Sequence, residues 1–188
     1  MNKFEKFENA IHLGPVKSKA DIPVYAHMCT YAAVPAGVTQ KDLFSSNDAW
    51  LDATFISPDT FEEFCWPNLK KMIEAFHAKG VTAVIHADGD WLLQLPFFKE
   101  VPKGSCILEL DGATDIVKAK EILNGYQCIR GDLPATVLAF EDETATQKYC
   151  DKLIDLAMDG GFIVGTGCEV PLNAKVENMR VFLNCCKE

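Results

Sequence analysis

The chain has no apolar run long enough to cross a membrane. Its first ten residues, Met1 to Ala10, mix acids with apolar side chains, which argues against a signal peptide. A cytoplasmic protein without membrane partners is the expectation. A basic surplus is also missing: 18 Lys and Arg stand against 27 Asp and Glu, a formal net charge of −9. That is the wrong sign for displacing counterions from phosphates, so nucleic acid is not an expected partner. Linkers and low-complexity tracts are absent, and 48% hydrophobic content with a mean hydropathy near zero excludes a disordered chain. What is present is apolar material sufficient for a single domain over residues 1–188. The eight cysteines are scattered, mostly inside apolar segments such as Phe64-Cys65-Trp66 and Tyr149-Cys150. They read as reduced core thiols, Cys185-Cys186 included, and not as a disulfide framework.

Residues 3–12 read as a short amphipathic helix and Ile22-Pro23-Val24-Tyr25-Ala26 as a brief strand, whose proline suits a strand's beginning or an edge. A second helical stretch covers 39–53, with Thr39 as N-cap. Regular alternation then begins. Ser57-Pro58-Asp59 opens a long helix whose apolar stripe (Phe61, Phe64, Cys65, Leu69, Met72, Ile73, Phe76) ends at Lys79-Gly80. Units of strand, loop and helix follow at 81–100, 105–123 and 127–158. A strand at 161–168 and a helix near 175–187 close the chain. Repeated units of this kind predict an α/β fold with a parallel sheet.

Four of the predicted strands end in reactive side chains: His86-Ala87-Asp88-Gly89-Asp90, Asp111-Gly112, Arg130-Gly131-Asp132 and Gly165-Thr166-Gly167-Cys168. Convergence of such groups at strand C-termini is the layout of a (β/α)-barrel active site. Side chains alternate along a strand, so His86 and Asp88 share a face with Val84, Glu109 with Asp111, and Arg130 with Asp132. The same alternation puts Thr166 and Cys168 with Phe162 and Val164. If these faces line a barrel, one rim gathers His86, Asp88, Glu109, Asp111, Arg130, Asp132 and Cys168, a set too polar for an idle core. Arg130 has two readings, a fork for an anionic substrate group or a buried partner for Glu109 or Asp111.

Several of these segments, taken in order, resemble one superfamily. They are Phe55-Ile56-Ser57-Pro58 through Lys71, Val81 to Asp90, Asp111 to Asp115, Ile129 to Pro134, Gly160 to Cys168, and Glu177-Asn178. The superfamily is that of uroporphyrinogen decarboxylase, and the nearer branch is its corrinoid-linked methyltransferases. Lys6 to Ile11, Ile22-Pro23-Val24 and Ala36 to Ala53 resemble the surroundings of the family's first strand. The resemblance implies a TIM-type (β/α) barrel, but a full barrel takes about 250 residues. Here strands 1 and 5–8 have counterparts and strands 2–4 do not. The expectation is a truncated barrel, residues 1–53 supplying the N-terminal part and 54–188 the C-terminal half. Its strands would run in the order 5-6-7-8-1 as an open sheet. Such a chain is expected to form a homodimer or to pair with another half-barrel.

By the same resemblance, His86, Asp88 and Cys168 would hold zinc, with Glu109 a candidate fourth ligand; the family pattern has cysteine where this chain has Asp88. Asp111 and Asp132 would be catalytic, and Arg130, Asp90 and Thr166 would bind substrate. The implied reaction is methyl transfer between a corrinoid carried by a partner protein and a small-molecule acceptor, a thiol or a pterin. Decarboxylation of a tetrapyrrole is the alternative, although Tyr25 to Tyr31 contains neither arginine nor carboxylate where that branch has both. A noncatalytic binding or assembly partner is a third reading.

Overall fold

Runs such as Cys106-Ile-Leu-Glu-Leu110 and Phe162-Ile-Val164 are apolar at nearly every position, as strands covered on both faces must be. In the computed structural model they are parallel strands. The structure describes residues 5–6, 9–10, 12–19, 24–27 and 61–187. The expected helix over 39–53, the Ser57 cap, Pro23 and much of the helix over 3–12 lie outside them.

The elements in chain order are β1 (Val24–His27), a π-helical turn (Phe61–Cys65), α1 (Trp66–His77), β2 (Ala83–Ala87), a 3-10 helix (Leu95–Lys99), β3 (Cys106–Leu110), α2 (Ile116–Leu123), β4 (Cys128–Leu133), α3 (Ala135–Phe140), α4 (Glu143–Ala157), β5 (Phe162–Glu169) and α5 (Val176–Asn184). The strands form one parallel sheet in the order β1-β5-β4-β3-β2. That is the order expected of a barrel lacking strands 2–4, with β1 beside β5 as the first strand of a closed barrel lies beside the last.

Local chemistry sets the boundaries. Gly80, at φ +72°, takes the left-handed turn that ends α1, and its N–H and that of Val81 reach back to His77 and Phe76. Asp115 caps α2 by accepting from the N–H groups of Val117 and Lys118, and Asp142 caps α4 by accepting from Ala145. The unit predicted over 81–100 carries only a 3-10 helix. Pro96 occupies its first turn, and Phe97 and Phe98 turn into a group of rings with Phe61, Trp66 and Trp91, at centroid separations of 5.1–6.4 Å.

The main core lies between the sheet and its helices. Leu108, Ile129, Phe162 and Val164 meet Ile73, Ile116, Leu123, Leu153 and Phe182 there, all essentially solvent-free. Each such side chain contributes about 1.5–3 kcal/mol. The other sheet face carries a smaller cluster, Ile107, Cys128 and Ile163 with Ala10, and leads up to the strand tips. The predicted stripe holds at Phe61, in the π-helical turn, and at Ile73 on α1, which are buried, whereas Met72 and Phe76 are exposed. Helix α1 packs beside β2, the strand at the end of the sheet, and has less to cover it. Among the described residues no helix is long and apolar enough to cross a membrane.

Candidate functional site

Across β2, β3 and β4 the pairing places His86 level with Glu109 and Glu109 level with Arg130, so three ionisable side chains form one rung on the face opposite the helices. Glu109 Oε1 lies 3.1 Å from His86 Nδ1, and Glu109 Oε2 accepts from Arg130 Nη1. Glu109 and Arg130 are both buried. Charges at such depth persist only as partners, because either alone would keep the full desolvation cost. Of the two readings of Arg130, the structure shows the buried partner of Glu109.

The other ring nitrogen faces outward. His86 Nε2 lies 3.1 Å from Asp88 Oδ1 and 4.0 Å from Cys168 Sγ. These three side chains are partly buried, and ligand atoms of all three lie within 4.8 Å of one another. The donor set of imidazole, carboxylate and thiol fits a divalent metal such as zinc, which accepts N, O and S ligands in tetrahedral sites. Without metal, the Cys168 sulfur beside Nε2 and the Glu109 carboxylate on Nδ1 hold the His86 pKa up to about 10, against the opposing effect of burial. Cys168 is partly exposed, whereas Cys106 and Cys128 are buried and desolvation pushes their thiols up to about 12. Those two are inert packing groups.

The loop after β2 is built to present Asp88. Trp91 Nε1 donates to the Asp88 carbonyl at 2.9 Å, and the Gly89 N–H donates to Asp111 Oδ2 at 2.8 Å. Thr114 Oγ1 accepts from the Trp91 N–H and donates to the Gly89 carbonyl. Asp111 Oδ1 takes the Ala113 N–H, so both oxygens of this predicted catalytic residue hold backbone. Asp132 is buried and its Oδ1 accepts from Tyr149 OH at 2.9 Å. Burial raises its pKa, the Tyr149 hydrogen bond opposes the rise, and the nearby Asp111 charge adds to it. Asp90 is exposed and takes the Leu92 N–H in a local turn.

Strand β5 departs from simple alternation. Ile163 is level with Arg130, which turns Phe162, Val164 and Thr166 toward the helices; Thr166 is buried opposite Leu133. Cys168 nevertheless reaches His86. Pairing with β1 shifts between Tyr25, opposite Gly165, and His27, opposite Glu169, so β5 carries two extra residues at its tip. Gly167 permits the path, since a Cβ there would sit 2.6 Å from the Asp111 carbonyl oxygen. The site therefore brings together His86, Asp88 and Cys168, with Glu109 and Arg130 behind the histidine and Asp111 beneath the loop. Thr166 and Asp90 point elsewhere. Tyr149, Thr114 and Trp91 escaped the sequence reading; a tyrosine inside the apolar stripe of α4 was the signal available for the first.

A parallel α/β sheet whose strand tips converge on a His, Asp and Cys cluster is the architecture of a (β/α)-barrel protein with a strand-end site. The model of the uroporphyrinogen decarboxylase (URO-D) family matches residues 32–188, and the chain belongs to that family. A methylated-thiol-coenzyme M methyltransferase of Methanosarcina mazei is 26% identical over 143 residues, 75% of this chain and 36% of that protein. Two uroporphyrinogen decarboxylases, the chloroplastic one of Zea mays and that of Nautilia profundicola, are each 25% identical over 74% and 75% of this chain and 35% and 40% of their own lengths. A solved structure of a methyltransferase from Methanosarcina mazei shares the fold, with a TM-score of 0.57 and 16% identity over 70% of this chain and 37% of that one. The chain thus spans somewhat over a third of the length of the curated relatives it matches.

Proposed function

We propose that this URO-D family chain belongs with the methyltransferases of the family, holding zinc through His86, Asp88 and Cys168 and passing a methyl group between a corrinoid on a partner protein and a thiol or pterin. The observation that carries the reading is the convergence of those three ligand atoms at the strand tips. The relative named as a methylated-thiol-coenzyme M methyltransferase agrees with it. Zinc bound there would supply Lewis acidity, lowering the pKa of a coordinated thiol so that thiolate is present at neutral pH. The chain's own residues prepare the place. Asp111 and Thr114 hold the loop that carries Asp88, and Gly167 lets Cys168 come into reach. Asp132 and Tyr149 form a buried polar pair near Asp111, suited to orienting the acceptor.

Decarboxylation is the competing chemistry, favoured by the relatives named for it, and the decarboxylase branch that the resemblance also includes requires no metal. Metal analysis therefore decides. Mass spectrometry of the protein purified after growth with zinc should find about one zinc per chain, and Cys168→Ala should lose it. A folded wild-type protein that holds no metal, as purified or after zinc addition, overturns the reading. A second, noncatalytic reading rests on a separate observation: β2 ends the sheet among the described residues, and Val81 and Val84 at that edge are half exposed. There the chain would pair with a second copy of itself.

A further inference from the structure

Three buried cysteines meet where α4 packs against the end of α5: Cys150 on α4, and Cys185 and Cys186 in the turn that closes α5. We propose that Cys185 and Cys150 form an oxidation site, in which Cys185 takes a small hydroperoxide and Cys150 closes the product to a disulfide. The site is separate from the strand tips and does not depend on the methyl-transfer reading.

Adjacency in the sequence singles out Cys185 and Cys186; the structure adds Cys150 from another helix. Cys186 Sγ lies 3.8 Å from Cys185 Sγ, and Cys150 is hydrogen-bonded to the same sulfur. Cys185 is therefore the centre of the group, with a thiol on either side. Hydrogen bonds from Cys150 and Cys186 hold the Cys185 thiol well below its ordinary range, against the opposing effect of burial. The same bonds, together with burial, push Cys150 and Cys186 up. A sulfur that carries its charge is the one that attacks peroxide, and a thiol in contact with it resolves the sulfenic acid. Cys106 and Cys128 are buried as well, but desolvation pushes both up. Cys150 has no solvent contact, whereas Cys185 and Cys186 each keep 6% of their surface, an opening for an oxidant of peroxide size. Cys186 is the poorer partner for Cys185, because adjacent Cα atoms stand about 3.8 Å apart, short of the about 4.4–6.8 Å that disulfides span.

The Cys185 thiolate attacks one peroxide oxygen; the S–O bond forms, the O–O bond breaks, and the hydroxide released takes a proton to leave as water. Cys150 then gives up its proton and attacks the Cys185 sulfur. The S–S bond forms, the S–O bond breaks, and the second hydroxide leaves with that proton as water. Two thiols lose two electrons and one peroxide becomes two waters. The bridge would anchor α4 beside Tyr149, whose hydroxyl donates to Asp132.

The test uses the full chain, reduced and then treated with equimolar hydrogen peroxide. Remaining thiols are alkylated in denaturant and tryptic peptides are mapped by mass spectrometry. The expected product joins Tyr149–Lys152 to Val181–Lys187 at a mass two hydrogens below their sum. Dithiothreitol should separate the two, and Cys106 and Cys128 should be recovered alkylated. Cys186→Ser should give the same link, and Cys150→Ser should leave a sulfenic acid on Cys185 that dimedone captures. The wild-type map decides by itself if either variant does not fold. Both peptides recovered fully alkylated after peroxide overturn the proposal. So does a bridge confined to Val181–Lys187, or a folded Cys186→Ser protein that forms no link.

Discussion

His86 sits between Glu109 and Asp88, with its pKa held up to about 10. In the metal-free protein it is a cation at neutral pH, and this has two consequences. A raised pKa adds stability that is fully present below the ordinary value of 6.5 and disappears as pH rises through about 10. The thermal midpoint of the metal-free protein should therefore fall more steeply between about pH 6.5 and 10 in the wild type than in His86→Gln. Metal at Nε2 must displace the proton. Affinity for zinc should then rise at least tenfold per pH unit below about pH 10, more where the Cys168 thiol must also lose its proton, and calorimetry in buffers of different ionisation enthalpy should register proton release. A pH-independent affinity would remove Nε2 from the ligand set. At this scale His86, Asp88 and Cys168 were legible because reactive residues at strand ends are conspicuous in an apolar pattern. The task of Glu109 was not legible, because an alternating pattern places a side chain on a face without saying which neighbour it meets.

The strands and caps show which elements local sequence decides. Asp115 before Ile116 and Gly80 after α1 act as their residue types predict, since caps depend on contacts within four residues. Strand β5 does not follow its local pattern. Its tip is drawn out of alternation by two extra residues opposite β1, and Gly167 makes room for the Asp111 carbonyl. Gly167→Ala would press a methyl group against backbone that has nowhere to yield. It should cost about 1–3 kcal/mol by chemical denaturation and weaken metal binding, because either Cys168 or the loop carried by Asp111 must move. Unchanged stability and unchanged affinity together would contradict this account of how Cys168 reaches His86. The 3-10 helix in place of a full helix after β2 has a similar origin, Pro96 and the ring cluster around Phe98 prevailing over a local unit count.

At the scale of the molecule, five parallel strands make an open sheet among the described residues, ending at β1 and β2. An open edge offers unpaired backbone groups to another strand, and here Val81 and Val84 are 50% and 55% exposed, with Met72 and Phe76 exposed on the adjacent α1. If two copies pair there, light scattering should give about twice the 20.8 kDa chain mass. The net charge of −9 per chain opposes that pairing, so association should strengthen as salt rises from about 0.01 to 0.15 M. Val84→Lys, which adds a charge to the edge, should return the protein to monomers. A monomeric wild type at both salt concentrations would end the second reading and leave the metal site untouched.

Fold class, strand order and family were determined by the sequence alone, because apolar periodicity, strand-end residues and their order along the chain are local or linear properties. The rung of His86, Glu109 and Arg130, the outward turn of Cys168 and the pairing of Asp132 with Tyr149 were decided only in the tertiary structure. Each depends on register between strands or on a helix packing over a strand. Such alignments join residues 17 to 82 positions apart, and nothing in their immediate neighbours specifies them.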